Sequence, residues 1–245
     1  MNDLLNEQNL LRVKTLRNRF LRESEANPHL YHRVDIKRVE TEDWQLERFL
    51  SPIDTTDNTD ADDDEAYNRL VRAMQWKHGF GLHDRQDGHY PRELFEIFGS
   101  EQYSTDTEGR LVLWVVHRNY LKIGELSLLF HQFLGHQIEK LDRRAGNRGW
   151  ITANDCSGTG MANVDMSLAK FRVELLNYYP QGMRLGLNID LPWLLAPVFR
   201  LIKTFMSKHI KDQILLIKRH ELVDWIPVED IPEGFGDKIC VHYIN

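Results

Sequence analysis

Apolar residues recur every three or four positions through the first third of the chain. Between Asp3 and Glu23, Leu10, Val13, Leu16 and Phe20 are interleaved with Arg12, Lys14, Arg17 and Arg19, which predicts an amphipathic helix ending before Asn27-Pro28. Asp35 is placed to cap a short helix through Val39, and Asp43 another that carries Trp44, Leu46, Phe49 and Leu50 up to Ser51-Pro52. A carboxylate run from Asp54 to Glu65 then interrupts the pattern. Asp60, Asp62 and Asp64 have the spacing of a calcium loop but lack its central Gly and closing Glu, so the run reads as a solvated loop whose last carboxylates favour the start of the next helix. That helix carries Ala66, Leu70, Met74 and Lys77 and stops at Gly79 and Gly81.

After Tyr90-Pro91 the period shortens. A hairpin is predicted from Gln102 to Ser104 and from Leu111 to Val116, around the turn Glu108-Gly109, and its second strand is apolar on both faces. Helical spacing over 125–144, a strand over 150–155, a helix over 164–178 and a strand over 185–190 follow. A helical stretch over 192–207, a strand over 214–217 and a short helix over 221–226 complete the series. Alternating strands and helices are the α/β signature, so the chain divides into a helical lobe, 1–90, and an α/β lobe, 91–245.

Composition narrows the function classes. The 245 residues are 42% apolar, ample for a buried core, and 31 basic against 37 acidic side chains leave a net charge of -6, which argues against nucleic acid as a partner. No apolar run approaches the roughly 20 residues of a spanning helix, and Met1 to Leu5 lack the basic-then-apolar pattern of a leader, so a soluble cytoplasmic protein is expected. Cys156 and Cys240 read as reduced thiols. None of the 11 histidines has a partner at the i, i+4 spacing of a helical zinc site, and His131 and His136, five apart, point away from each other, so no metal or other cofactor is expected. The loop Asp155-Cys156-Ser157-Gly158-Thr159-Gly160 lies between a strand and a helix but matches neither a nucleophile elbow nor a phosphate cradle. It reads as a tight turn, with a Ser157 hydrolase as a distant alternative to a non-enzymatic protein.

The stretch from Leu191 to Met206 is apolar on nearly all sides, with Arg200, Lys203 and Lys208 as its main charges. Two accounts fit it: a central buried helix, or a helix that covers an apolar ligand on one side and dips into a membrane on the other, its basic side chains reaching the headgroups.

Several residues taken in order now carry a resemblance: Arg48-Phe49-Leu50, Ala66, Leu70, Trp76-Lys77, Glu108-Gly109-Arg110, Asp155-x-Ser157-Gly158, Tyr178-Tyr179-Pro180, Asp190-Leu191-Pro192-Trp193, Phe199, Lys203 and Ile231-Pro232. Over 35–237 the chain resembles the CRAL-TRIO lipid-binding domains. The resemblance implies a helical N-terminal lobe and a mixed five-stranded sheet that floors one apolar pocket, closed by a mobile gate helix over 192–208. The pocket would be lined by Leu113, Val115, Thr152, Leu187 and Ile189 of the sheet and by Leu194, Leu195, Val198, Phe199 and Ile202 of the gate. Trp193, Arg200, Lys203, Phe205, Met206, Lys208 and Lys211 would meet a membrane. The implied ligand is a lipid or other hydrophobic molecule, bound and transferred without catalysis; a membrane adaptor that keeps the fold without transfer is the alternative. The positions where phosphatidylinositol-transfer members carry Arg, Glu and Lys read Ser51-Pro52-Ile53, Gln181 and Gln213, which removes charge-assisted donors for a phosphate. Thr152 falls where choline-lipid binding members hold a hydroxyl, and Trp150 where they hold a second. Pro197 sets the gate helix to begin at about that residue.

Overall fold

In a computed structural model of the chain, residues 2–51, 62–98, 104–232 and 235 are described. Most of the acidic run, the start of the predicted first strand at Gln102, and Gly236, Asp237 and Cys240 lie outside them. The chain forms two compact units, Met1–Asp87 with Glu174–Gly182, and Gly88–Val173 with Met183–Asn245.

The first unit is helical. It contains α1 (Asn2–Ala26), α2 (Arg33–Thr41), α3 (Asp43–Leu50) and α4 (Asp63–Gly79). Val13, Leu16 and Phe20 of α1, three of the four residues in the predicted stripe, are buried against Val39, Leu46, Phe49, Leu70 and Met74, while Leu10 is exposed. The acidic start of α4 is held by α1, with Arg12 bound to Asp63 at 2.8 Å and Arg19 to Asp64 at 2.7 Å. The cap of α2 differs from expectation. His32 Nδ1 accepts from the Val34 amide at 3.2 Å, while Asp35 is fully buried and its carboxylate is bound to His83 Nε2 at 2.8 Å. The segment Glu174–Gly182 completes this unit: Tyr178 stacks on Trp76 with centroids 4.3 Å apart, and Lys77 Nζ lies 4.4 Å from the Tyr179 ring centre. The Trp-Lys and Tyr-Tyr pairs of the sequence are therefore one packing contact, and the second unit is not a contiguous stretch.

The second unit is built on a mixed sheet of five strands in the order β1 (Ser104–Thr105), β2 (Leu111–Val116), β3 (Trp150–Asp155), β4 (Met183–Ile189) and β5 (Ile214–Ile217). β1 is antiparallel to β2 and the remaining pairs are parallel. Asp106 closes the hairpin by accepting from the Glu108 and Arg110 amides at 3.0 and 2.7 Å and from Arg110 Nε at 2.6 Å. α5 (Arg92–Phe98) precedes the sheet; α6 (Ser127–Ala145), α7 (Met166–Leu176), and α8 (Ala196–Thr204) with α9 (Lys208–Asp212) are the crossovers. Because the four parallel strands advance across the sheet in chain order, right-handed crossovers all fall on one face. The α6 carboxylate Asp142 accepts from Trp150 Nε1 at 3.2 Å, and Arg172 of α7 donates to Asn154 at 3.0 Å, which fixes that face as the one carrying Trp150, Thr152 and Asn154.

Candidate ligand-binding site

The strand registers sort every sheet residue onto a face. Leu113, Thr152, Gly186 and Ile214 form one row across β2 to β5, and Val115, Asn154, Asn188 and Leu216 the next; both rows lie on the crossover face. The alternate rows, Trp114-Ala153-Leu187-Leu215 and Val116-Asp155-Ile189-Ile217, lie on the other face. There Leu187 and Ile189 are fully buried with Leu222, Ile226 and Phe235 of the C-terminal segment. Leu113, Val115 and Thr152 thus share the crossover face, whereas Leu187 and Ile189, grouped with them from sequence, belong to the closed core on the reverse side.

Cover on the crossover face is uneven. Leu113, Val115 and Thr152 are buried, while Asn188 and Ile214 are only half-buried and Leu216 is 55% exposed. Gly186 makes room for the Ile214 side chain, since a Cβ there would stand 2.6 Å from Ile214 Cδ1 and 3.4 Å from Thr152 Oγ1. α6 contributes nine buried residues, among them Phe130, Phe133 and Leu141. α8, with Val198, Phe199 and Ile202 along one side, buries none completely.

Preceding α8, a 3-10 turn over Trp193–Leu195 buries Leu195 but leaves Trp193 85% and Leu194 51% exposed. Pro197 sits in the first turn of α8, as its fixed φ and missing donor favour. Val198, Phe199, Ile202, Lys203, Met206 and Lys211 are half-buried; Arg200, Leu201, Phe205 and Lys208 are exposed. Lys203 Nζ lies 5.6 Å from the Phe199 ring centre and Lys170 Nζ of α7 lies 4.8 Å from that of Phe205. Ser207 then accepts from the Ile210 amide at 3.4 Å and starts α9, so the predicted 192–207 helix is a 3-10 turn followed by α8, with α9 beyond it. Leu194, placed by sequence in the pocket, instead accompanies Trp193 outward.

A polar cluster that sequence reading did not single out lies on the crossover face. Asn154 Nδ2 donates to Thr152 Oγ1 at 3.1 Å and to the Leu187 carbonyl at 3.2 Å, which orients its Oδ1 toward Arg172 at 3.0 Å and His117 Nε2 at 3.3 Å. Burial, with Arg172 beside it, lowers the His117 pKa to about 4, so the ring is neutral at pH 7. Burial also lowers that of Arg172. The sequence signal was period two: Asn154 follows Thr152 on the same face.

The Asp155-x-Ser157-Gly158 turn has a structural role. Asp155 is bound by Arg118 at 2.6 Å and Arg219 at 2.8 Å and accepts from the Ser157 amide at 2.9 Å, and Gly158 supplies φ of +69°. These donors hold the Asp155 carboxyl below its ordinary pKa against the opposing effect of burial. Ser157 Oγ accepts from Arg118 and Arg219 at 3.3 and 3.1 Å, and its side-chain bond to Asp155 is one of those that hold that carboxyl low. Cys156 is buried, and burial pushes its thiol pKa up to about 12. Among the described residues no helix is long and apolar enough to cross a membrane.

A mixed sheet sealed on one face and incompletely covered on the other by an amphipathic crossover defines an α/β domain. Residues 101–236 match the CRAL/TRIO domain, and the chain belongs to that family. It is 26% identical over 222 residues to a CRAL-TRIO domain-containing protein of Saccharomyces cerevisiae, covering 84% of this chain and 66% of that protein. It is 21% identical over 240 residues to the SEC14 cytosolic factor of Candida glabrata, covering 81% and 78%. A phosphatidylinositol transfer protein, CSR1 of Eremothecium gossypii, is 30% identical over 86 residues, which are 34% of this chain and 20% of that protein. The crystal structure of Sfh5 superposes with a TM-score of 0.64 at 14% identity, covering 86% of this chain and 82% of that one, which shows the shared fold.

Proposed function

We propose that the protein binds one lipid or similar hydrophobic ligand on the crossover face of the sheet and exchanges it with membranes through α8. The observation that carries this is the incomplete cover of that face: an amphipathic helix that buries no residue lies on the same side as a strand residue, Leu216, that is 55% exposed. Each methylene moved from water into such a cleft gains about 0.8 kcal/mol, so an acyl chain repays closure without specific polar bonds. The pocket wall is then Leu113, Val115, Thr152, Gly186, Ile214 and Leu216 below, with Leu195, Val198, Phe199 and Ile202 above.

Trp193, Leu194, Leu201 and Phe205 beside Arg200, Lys203, Lys208 and Lys211 suit transient, peripheral contact with an anionic leaflet by a cytoplasmic protein. The names of the SEC14 and CSR1 relatives support lipid handling in the cytosol. A phosphatidylinositol headgroup fits less well. Where the transfer members carry Lys, Gln213 uses its side chain on His209 at 3.1 Å, and its carbonyl accepts from Gly186 at 2.8 Å. Within the family, Tyr178 to Thr204 resembles the corresponding stretch of motile sperm domain-containing protein 2.

The 85% exposure of Trp193 favours one second reading, an adaptor that rests on membranes without carrying lipid. Trp193→Asp and Phe199→Asp variants, assayed separately for liposome binding and for lipid exchange between vesicle populations, decide between them. Transfer predicts measurable exchange that both variants weaken; liposome binding with no exchange by the unsubstituted protein sinks the transfer reading.

A further inference from the structure

Resting on the lipid-pocket reading, the polar cluster under α7 specifies the kind of ligand. Arg172 is a half-buried cation whose one hydrogen bond among the described residues goes to a neutral amide oxygen, Asn154 Oδ1, at 3.0 Å. The acids near it in the chain and on the strand are already engaged, Glu174 accepting from the Tyr178 hydroxyl at 3.1 Å. Asp155 is bound by Arg118 and Arg219, and Asp165 accepts from the Tyr120 hydroxyl at 2.6 Å and from the Ser167 amide at 2.9 Å. The titratable groups coupled to Arg172 are Cys156 and His117, a thiol and an imidazole that are both uncharged at pH 7. A guanidinium has five N–H donors, and a cation withdrawn from water without an anion is costly.

We infer that Arg172 receives the anionic group, a carboxylate or a phosphate, of an acyl-chain ligand whose apolar part runs over Ile214 and Leu216 beneath α8. Asn154 fixes the fork from one side, since its own amide is locked by the Leu187 carbonyl and Thr152 Oγ1. His117, Asn188 and Thr152 add no charge to the cluster, so an anionic head balances it. A fatty acid or a phosphatidic acid meets that description, and a neutral glyceride does not. The Gln181 and Gln213 positions take no part.

The test uses the full chain and ligands kept monomeric, so that attraction of vesicles to the basic gate does not contribute. Binding of oleate, a short-chain phosphatidic acid, monooleoylglycerol and a short-chain phosphatidylcholine is measured for the unsubstituted protein, Arg172→Gln and Arg172→Lys. The expected result is at least a tenfold preference for one or both anionic ligands, lost in Arg172→Gln while monooleoylglycerol affinity stays within twofold, and partly kept in Arg172→Lys. The oleate and phosphatidic acid arms show which acid is taken. Equal affinity of the unsubstituted protein for anionic and neutral ligands overturns the inference, and that comparison decides even if the Gln variant fails to fold. So does an Arg172→Gln protein that keeps the preference or loses all ligands alike. If the neutral ligands bind but the acids do not, only the inference fails; if none of the four binds, the pocket reading itself fails with it.

Discussion

Replacing Gly186 by valine should fill the proposed pocket from below without unfolding the sheet. The new Cβ would stand 2.6 Å from Ile214 Cδ1, about 1.2 Å inside ordinary carbon contact, and 3.4 Å from Thr152 Oγ1. Ile214 is half-buried and its terminal methyl can rotate, so the relief runs into the space over the crossover face rather than into backbone. Overpacking costs about 1–3 kcal/mol, offset by about 0.5–1 kcal/mol from removing a glycine within a strand, so the net loss of stability is about 1–2 kcal/mol. Binding loses more. The two valine methyls and the displaced Ile214 methyl exclude about three methylenes of ligand, at about 0.8 kcal/mol each, or about 2.4 kcal/mol and roughly sixtyfold in affinity. The assay is displacement of a fluorescent fatty-acid probe, with thermal melting to confirm folding. Ile189→Val on the reverse face is the control: it should cost about 1 kcal/mol of stability and leave probe affinity unchanged. A folded Gly186→Val protein that binds the probe as tightly as the unsubstituted chain would refute the placement of the pocket.

Further outcomes follow from the same geometry. His117 has its pKa lowered to about 4 in the folded protein against about 6.5 unfolded, so between those values the unfolded chain binds more protons; stability falls as pH drops from 6.5 towards 4, and denaturant titrations of His117→Gln should show a flatter dependence in that window. The Cys156 thiol, raised to about 12, should resist alkylation at pH 8 in a Cys240→Ser background and react at once in denaturant; rapid labelling of the native protein would contradict its burial. Gln137 of α6 is 1% exposed with neither amide atom hydrogen-bonded, so Gln137→Leu should raise stability by about 1 kcal/mol, and a loss measured by chemical denaturation would show that the amide is satisfied in solution.

Much of this architecture was legible because the apolar periods are strong. Val13, Leu16 and Phe20 on α1 and the apolar runs of β2 and β5 announce their elements, and Pro197 marks the start of α8. Which face of a strand meets the crossovers was harder to see, because strands of a parallel sheet are covered on both sides and read as continuous apolar runs. In β4 the discriminating residues were the least conspicuous: Gly186 and Asn188 face the crossovers, while Leu187 and Ile189, the obvious lipid contacts by hydrophobicity, fill the reverse core. Asp35 looked like a cap because carboxylates favour helix starts, yet it is bound by His83, 48 positions away, and His32 takes the cap. Arg172 was silent for the same reason. Its significance lies in what it lacks, a carboxylate, and only the three-dimensional arrangement shows that Asp155 and Asp165 are spent elsewhere.

The central claim, that ligand lies between α8 and the crossover face of the sheet, is tested most directly by methyl NMR with a doxyl-labelled stearate as relaxation probe. The account predicts selective broadening of Val115, Ile214, Leu216, Val198 and Ile202, with Leu187, Ile189 and Leu222 on the reverse face left sharp. No broadening at saturating stearate, or broadening concentrated on the reverse-face methyls, would contradict it.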